Sequence, residues 1–263
     1  MGFGWSDKPL ANYVDGRIWV EQVADLIRAK APRGQAVIAG NSLGGYVSLS
    51  VGYHHPDLIK GVVLVNSAGS FDTTEDSWKD ASAALGGGSN EDPEVGPDGR
   101  ILLEGEEEVP FWYPENIRVL FQKVAMYGAF VLAKQPARIT KVLGSVYVNQ
   151  APCDEALVRS ILLPTGDKNA PDVFRRVVTT KKRTINGLLT GLPDSVRVLL
   201  LWGMKDPWCV PRNADRIQTI KPTVDRINVM EAGHCPHDDT PKEVNDILRR
   251  WTGEAWGLEV EGA

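Results

Sequence analysis

The stretch Ala36-Val37-Ile38-Ala39-Gly40-Asn41-Ser42-Leu43-Gly44-Gly45 constrains this chain more than any other. An apolar run of strand length enters Gly-x-Ser-x-Gly and leaves as an apolar helical pattern. A serine on so sharp a strand-to-helix turn sits in a strained conformation that pushes its hydroxyl out of the sheet, and small residues two positions to either side, Gly40 and Gly44, are expected to permit the turn. The same turn aims the backbone N–H of Leu43 at a developing oxyanion and sets Ser42 at the partially positive end of a helix.

A serine nucleophile needs an imidazole to take its proton and a carboxylate to orient that imidazole. After this kind of turn they follow in the order Ser, Asp or Glu, His, each just past a strand. Val196-Arg197-Val198-Leu199-Leu200-Leu201-Trp202 is an apolar run of strand length, and Asp206 stands beyond it in Gly203-Met204-Lys205-Asp206-Pro207-Trp208. Arg226-Ile227-Asn228-Val229-Met230 alternates with period two and runs into Glu231-Ala232-Gly233-His234. Ser42, Asp206 and His234 are therefore the expected catalytic set, with Asp72 as alternative acid and His237 as alternative base. Asp206 before Pro207 also fits an ordinary turn, and either histidine a surface loop. His54 and His55, at the expected end of the elbow helix, read as a solvated terminus.

These segments, together with Gly2-Phe3-Gly4-Trp5-Ser6-Asp7-Lys8-Pro9, His55-Pro56-Asp57-Leu58-Ile59-Lys60-Gly61-Val62-Val63-Leu64-Val65-Asn66 and Gly233-His234-Cys235-Pro236-His237-Asp238-Asp239, resemble the α/β-hydrolase family. Within it they are most similar to the plant, algal and cyanobacterial branch that includes pheophytinase. The resemblance spans nearly the whole chain and implies an α/β fold: a mostly parallel sheet with a helical cap inserted between strands. Residues 1–70 and 191–263 would form the core and 71–190 the cap. It also implies that 2–6 match the loop after the family's fourth strand, so that three strands, one carrying a second oxyanion donor, would lie upstream of Met1. On that expectation the chain is N-terminally truncated and its sheet edge beside residues 36–39 is uncovered. Loss of one oxyanion donor costs about a hundred- to thousandfold in turnover, and an unpaired apolar edge invites aggregation or a partner strand. Expressed alone, the chain is expected to be poorly soluble or nearly inactive.

The reaction implied is hydrolysis of a carboxylic ester, with no cofactor and no metal. The substrate would be a small molecule with a large hydrophobic group, such as a phytyl ester of a chlorophyll derivative, and the resemblance implies a chloroplast. A carbon–carbon bond hydrolase uses the same triad, and a non-catalytic binding protein would keep the pocket without the upstream donor. Both remain open at this point.

Length and composition fit one such domain: 263 residues, 43% of them apolar. The 29 basic and 34 acidic residues leave a net charge of −5, which gives no reason to expect nucleic-acid binding. Residues 71–108 hold 12 acidic and 2 basic side chains, and the Gly- and Pro-rich part from 86 reads as an acidic, flexible loop. Cys153, Cys209 and Cys235 are an odd count without metal-ligand spacing, which fits a reducing intracellular compartment. Cys209 and Cys235 each lie close to a triad candidate. No apolar run reaches the roughly 18 residues of a membrane span, and no secretory signal is present. The match of Met1-Gly2-Phe3-Gly4-Trp5-Ser6 to a myristoylation pattern is accounted for by the family's loop.

Between the strands ending near Asn66 and starting near Val196 the pattern is helical. Residues 115–134 are apolar over most of the helix circumference, and Phe111, Trp112, Tyr113, Phe121, Tyr127, Phe130 and Tyr147 add aromatic surface. Such a lid favours a large hydrophobic group, since each buried CH₂ contributes about 0.8 kcal/mol. Packing within the cap accounts for the same aromatics equally well.

Overall fold

The computed structural model describes residues 1–13, 16–31, 33–72, 114–179 and 183–257, without the side chains of 114–123 and 179. The expected acidic loop near 86–108 lies outside the described residues, as do Phe111, Trp112 and Tyr113 and the side chain of Phe121.

In chain order the elements are α1 (Arg17–Lys30), β1 (Ala36–Asn41), α2 (Leu43–His54), β2 (Ile59–Val65), α3 (Pro114–Ala133), α4 (Pro136–Val146), α5 (Glu155–Leu162), α6 (Ala170–Thr179), α7 (Ile185–Thr190), β3 (Arg197–Gly203), α8 (Pro211–Ile220), β4 (Asp225–Val229), α9 (Pro236–Asp239) and α10 (Pro241–Ala255). Among the described residues four parallel strands pair in the order β1-β2-β3-β4, so the α/β sheet expected from the sequence is observed. Proline opens α8, α9 and α10, where its missing N–H costs no helical hydrogen bond.

Contacts divide the chain into two compact units, one of Met1–Asp15, Asp72–Ile139 and Glu155–Lys181, the other of Gly16–Phe71, Thr140–Asp154 and Lys182–Ala263. This grouping runs differently from the core and cap boundaries drawn at 70/71 and 190/191. Two backbone hydrogen bonds tie residues placed beyond the expected core boundary into the sheet-bearing unit. His234 N–H donates to Val146 O at 2.8 Å, and Ile185 N–H to Ser70 O at 2.8 Å.

The sheet-bearing unit is layered on both faces, as a parallel sheet requires. Strand alternation decides which side chain enters which layer. Val62, Leu64, Val198, Leu200 and Trp202 pack with Val20, Ala24, Leu49, Leu188, Leu189, Ala214 and Ile217 from α1, α2, α7 and α8. Val63, Val65, Leu199 and Leu201, one residue out of phase, pack with Val244, Ile247 and Trp251 of α10. Among the described residues β1 pairs only with β2, and along it Ala39 is exposed and the other residues are half-buried.

Among the described residues of the other unit, apolar packing and polar clamps both contribute. Phe130 of α3 packs at 5.4 Å on Phe174 of α6. Lys8 reaches Gly4 O, Ser6 O and Asp167, and Asn169 Nδ2 donates to Lys8 O at 2.8 Å. Residues 124–133, expected to be helical, lie in α3, and of their side chains only Phe130 is buried.

Candidate active site

Each sequence-predicted residue stands at the C-terminal end of a parallel strand, where open α/β sheets carry their ligands. Ser42 follows β1, Asp206 lies three residues beyond β3, and His234 follows β4, all within the sheet-bearing unit.

Ser42 has φ 53° and ψ −118°. This left-handed backbone is costly for a residue with a Cβ, on the order of 1–3 kcal/mol, and hydrogen bonds around it hold the turn. Ser42 N–H donates to Val65 O at 3.1 Å, and Ser42 O accepts from Ala68 N–H at 2.9 Å and Gly45 N–H at 3.0 Å. The glycine requirement is only half as expected. A Cβ on Gly40 would lie 2.0 Å from Gly44 O, so that position admits nothing larger. A Cβ on Gly44 meets nothing within 4 Å beyond its chain neighbours and its own helix backbone, whereas one on Gly45 would lie 2.6 Å from Ser67 Oγ. The second tight position is therefore Gly45, because the helix turns that residue, and not Gly44, against the segment leaving β2. Leu43 opens α2, and its N–H is among those that a helix's first turn leaves unpaired.

Asp206 and His234 are 4% and 5% exposed, and Asp206 Oδ2 lies 2.7 Å from His234 Nδ1. Asn66 Nδ2 donates to the same Oδ2 at 2.7 Å, while Oδ1 accepts from the N–H groups of Trp208 at 2.7 Å and Cys209 at 3.1 Å. Burial pushes this carboxyl up. The bonds from His234, Trp208 and Asn66 outweigh it and hold Asp206 below its ordinary value. The loop is anchored in turn by Trp202 Nε1, which donates to Cys209 O at 2.8 Å.

The backbone of His234 is fixed beside the elbow: Asn41 Nδ2, one residue before Ser42, donates to His234 O at 2.7 Å. Trp208, 54% exposed, lies with its ring centroid 5.3 Å from that of His234. His237 is exposed, with its nearest carboxylate, Asp238, at 3.9 Å. Among the described residues no hydrogen bond joins Ser42 Oγ to His234. Such contacts are often long without substrate. His55 is not a solvated terminus: its Nε2 lies 3.1 Å from Glu21 and its Nδ1 3.4 Å from Arg28.

Asn41 and Asn66 were not among the sequence-predicted site residues. Asn66 carries the one other positive φ, 40°, among described non-glycine residues, and its side chain spans from Asp206 to both Gly203 N–H and Gly203 O. An Asn directly after a buried strand is the signal that marks it.

Asp206, Cys209 and His234 bring one potential metal-ligand atom each within 4.8 Å of one another. All four acceptor positions of the carboxylate are already met by donors, and burial pushes the Cys209 thiol up to about 12, so the trio is built as a hydrogen-bonded pair rather than a cation site. Burial likewise raises Cys235 to about 11. At pH 8 both thiols should react with a disulfide reagent at least tenfold more slowly in the native chain than in urea, read by peptide mass spectrometry. Fast native modification would contradict the burial described.

The model of the alpha/beta hydrolase family matches residues 1–247 of this chain. Pheophytinase, chloroplastic, of Arabidopsis thaliana is 30% identical over 98% of this chain and 50% of its own length. The chain thus spans half of that relative. The 2-hydroxymuconate semialdehyde hydrolase of Pseudomonas sp. strain CF600 is 36% identical over 76 residues, 28% of this chain and 26% of its own. Among solved structures, a membrane phospholipase A described as a bacterial virulence factor superposes with TM-score 0.64 at 20% identity, over 97% of this chain and 68% of that one, which is a likeness of fold.

Proposed function

Since the chain belongs to the alpha/beta hydrolase family, we propose that it hydrolyses a carboxylic ester through Ser42, His234 and Asp206. The observation that carries this reading is the buried Asp206–His234 bond of 2.7 Å on a loop whose carbonyl is held by Asn41, the residue preceding Ser42. With Nδ1–H donating to Asp206, Nε2 is left to act as the base. It takes the Ser42 proton as Oγ adds to the ester carbonyl, and Leu43 N–H stabilises the oxyanion. Collapse expels the alcohol with that proton. Water then enters, losing its proton to His234, and releases the acid from the acyl-enzyme.

A large hydrophobic group on the ester is supported by the named pheophytinase relative. The chloroplast implied by the resemblance belongs to the same proposal. Among the described residues no helix is long and apolar enough to cross a membrane. The test is a series of p-nitrophenyl esters: kcat/KM should rise at least tenfold from acetate to an octanoate or longer ester. A flat or falling series would remove the hydrophobic specificity, and no turnover of any ester would remove the ester reading.

The alternative is a binding protein that keeps the pocket without turnover. Saturable binding of a long-chain ester with no product release would support it. A carbon–carbon bond hydrolase would instead cleave a vinylogous diketone with the same three residues, and assay on such a substrate separates it.

A further inference from the structure

One buried carboxylate in the sheet-bearing unit has no part in the Asp206–His234 pair. Asp239 is 7% exposed, and among the described residues no cation pairs with it. Such a group is costly to bury unless its lone pairs are met. Three backbone N–H groups from two separate segments meet them. Gly233 N–H donates to Oδ2 at 2.7 Å, while Val148 and Asn149 N–H donate to Oδ1 at 3.0 and 2.8 Å. The carboxylate therefore does not cap its own short helix but bridges the residue just before His234 to the segment just after α4.

That segment holds His234 a second way, because His234 N–H donates to Val146 O at 2.8 Å. Tyr147 OH adds a bond of 2.7 Å to Asp238. The approach is close enough that a Cβ on Gly233 would lie 2.3 Å from Val146 O. The base is thus held at its ring by Asp206, at its carbonyl by Asn41, at its N–H by Val146, and one residue upstream by Asp239.

We propose that Asp239, bracing the His234 loop against residues 146–149, is a positioning residue for the base. The proposal rests on the triad reading. Its physical content is geometric: a displacement of about 1 Å at a reacting group costs on the order of a hundredfold. Asp239→Asn keeps one acceptor oxygen and sets an amide NH₂ against N–H donors. Asp239→Glu keeps the charge but adds a methylene to the brace.

The test is steady-state hydrolysis of a p-nitrophenyl ester by the full chain, normalised to active sites titrated with a fluorophosphonate, with thermal melts alongside. Both variants are expected to lose about ten- to a hundredfold in kcat per titrated site with KM little changed. Rescue by Asp239→Glu to the wild-type kcat would overturn positioning in favour of charge alone. A lower melting temperature with wild-type kcat per site would overturn it in favour of a structural role. Where Asp239→Asn does not fold, Asp239→Glu decides by the same criterion. Wild-type chain that fails to react at Ser42 would instead sink the triad reading, and the proposal with it; reactive wild type with unaffected variants sinks the proposal alone.

Discussion

Ser42→Ala is expected to leave the circular dichroism spectrum unchanged and to lower kcat for ester hydrolysis by about a millionfold, the size of loss found when a serine nucleophile is removed from subtilisin. The fold is expected to survive because the substitution removes only Oγ. The backbone bonds from Ser42 N–H to Val65 O and from Ala68 and Gly45 N–H to Ser42 O remain, and they hold the turn at φ 53°. What remains should be the modest rate enhancement that binding and Leu43 N–H supply without a nucleophile. Hydrolysis by purified Ser42→Ala within tenfold of wild type would assign the reaction to another group.

Asp206→Asn is expected to lower kcat by about ten thousandfold, the loss produced by the same change in a chymotrypsin-type triad. Four donors converge on this carboxylate: His234 Nδ1, Asn66 Nδ2 and the N–H groups of Trp208 and Cys209. An asparagine offers a single acceptor oxygen, so its NH₂ must face donors on one side. Where it faces His234 it selects the tautomer with the proton on Nε2, which cannot accept from Ser42. Because the Asp206 side chain is fully buried, the same substitution should also cost stability of about 1–3 kcal/mol, the cost of leaving a buried donor without an acceptor. The pH dependence follows from the direction of the shift. The folded-state pKa lies below the ordinary value of about 3.9, so the contribution is fully present above that value and is lost as pH falls through the lower folded value. Urea denaturation from pH 6 to pH 3 should show wild type losing more stability than Asp206→Asn. Parallel curves would contradict the depressed pKa.

The parts of this site legible in sequence are those with a local pattern. Buried strands announce themselves as apolar runs, so β2 and β3 are readable, and the order Ser, Asp, His in the loops that follow strands points to Asp206 and His234. Gly40 was readable because the turn brings its Cα against the backbone of Gly44. The bracing residues had no such signature. Asn41 reaches His234 across 193 positions and Asn66 reaches Asp206 across 140, and neither partner imposes spacing on the chain between them. Residues 140–154 illustrate the same limit. The family resemblance places them in the cap, while their grouping with the sheet-bearing unit goes with hydrogen bonds to the 233–239 loop that no local pattern encodes. His55 looked like a solvated terminus because its partner, Glu21, belongs to α1, 34 residues away.

Ester hydrolysis by this chain requires Ser42 and His234 to act as one unit. The direct measurement is the rate and location of fluorophosphonate modification in wild type and His234→Ala, read by peptide mass spectrometry. The expected result is a single adduct on the peptide containing Ser42, forming at least a thousandfold more slowly in His234→Ala. An adduct on another residue, or equal rates in the two proteins, would contradict it.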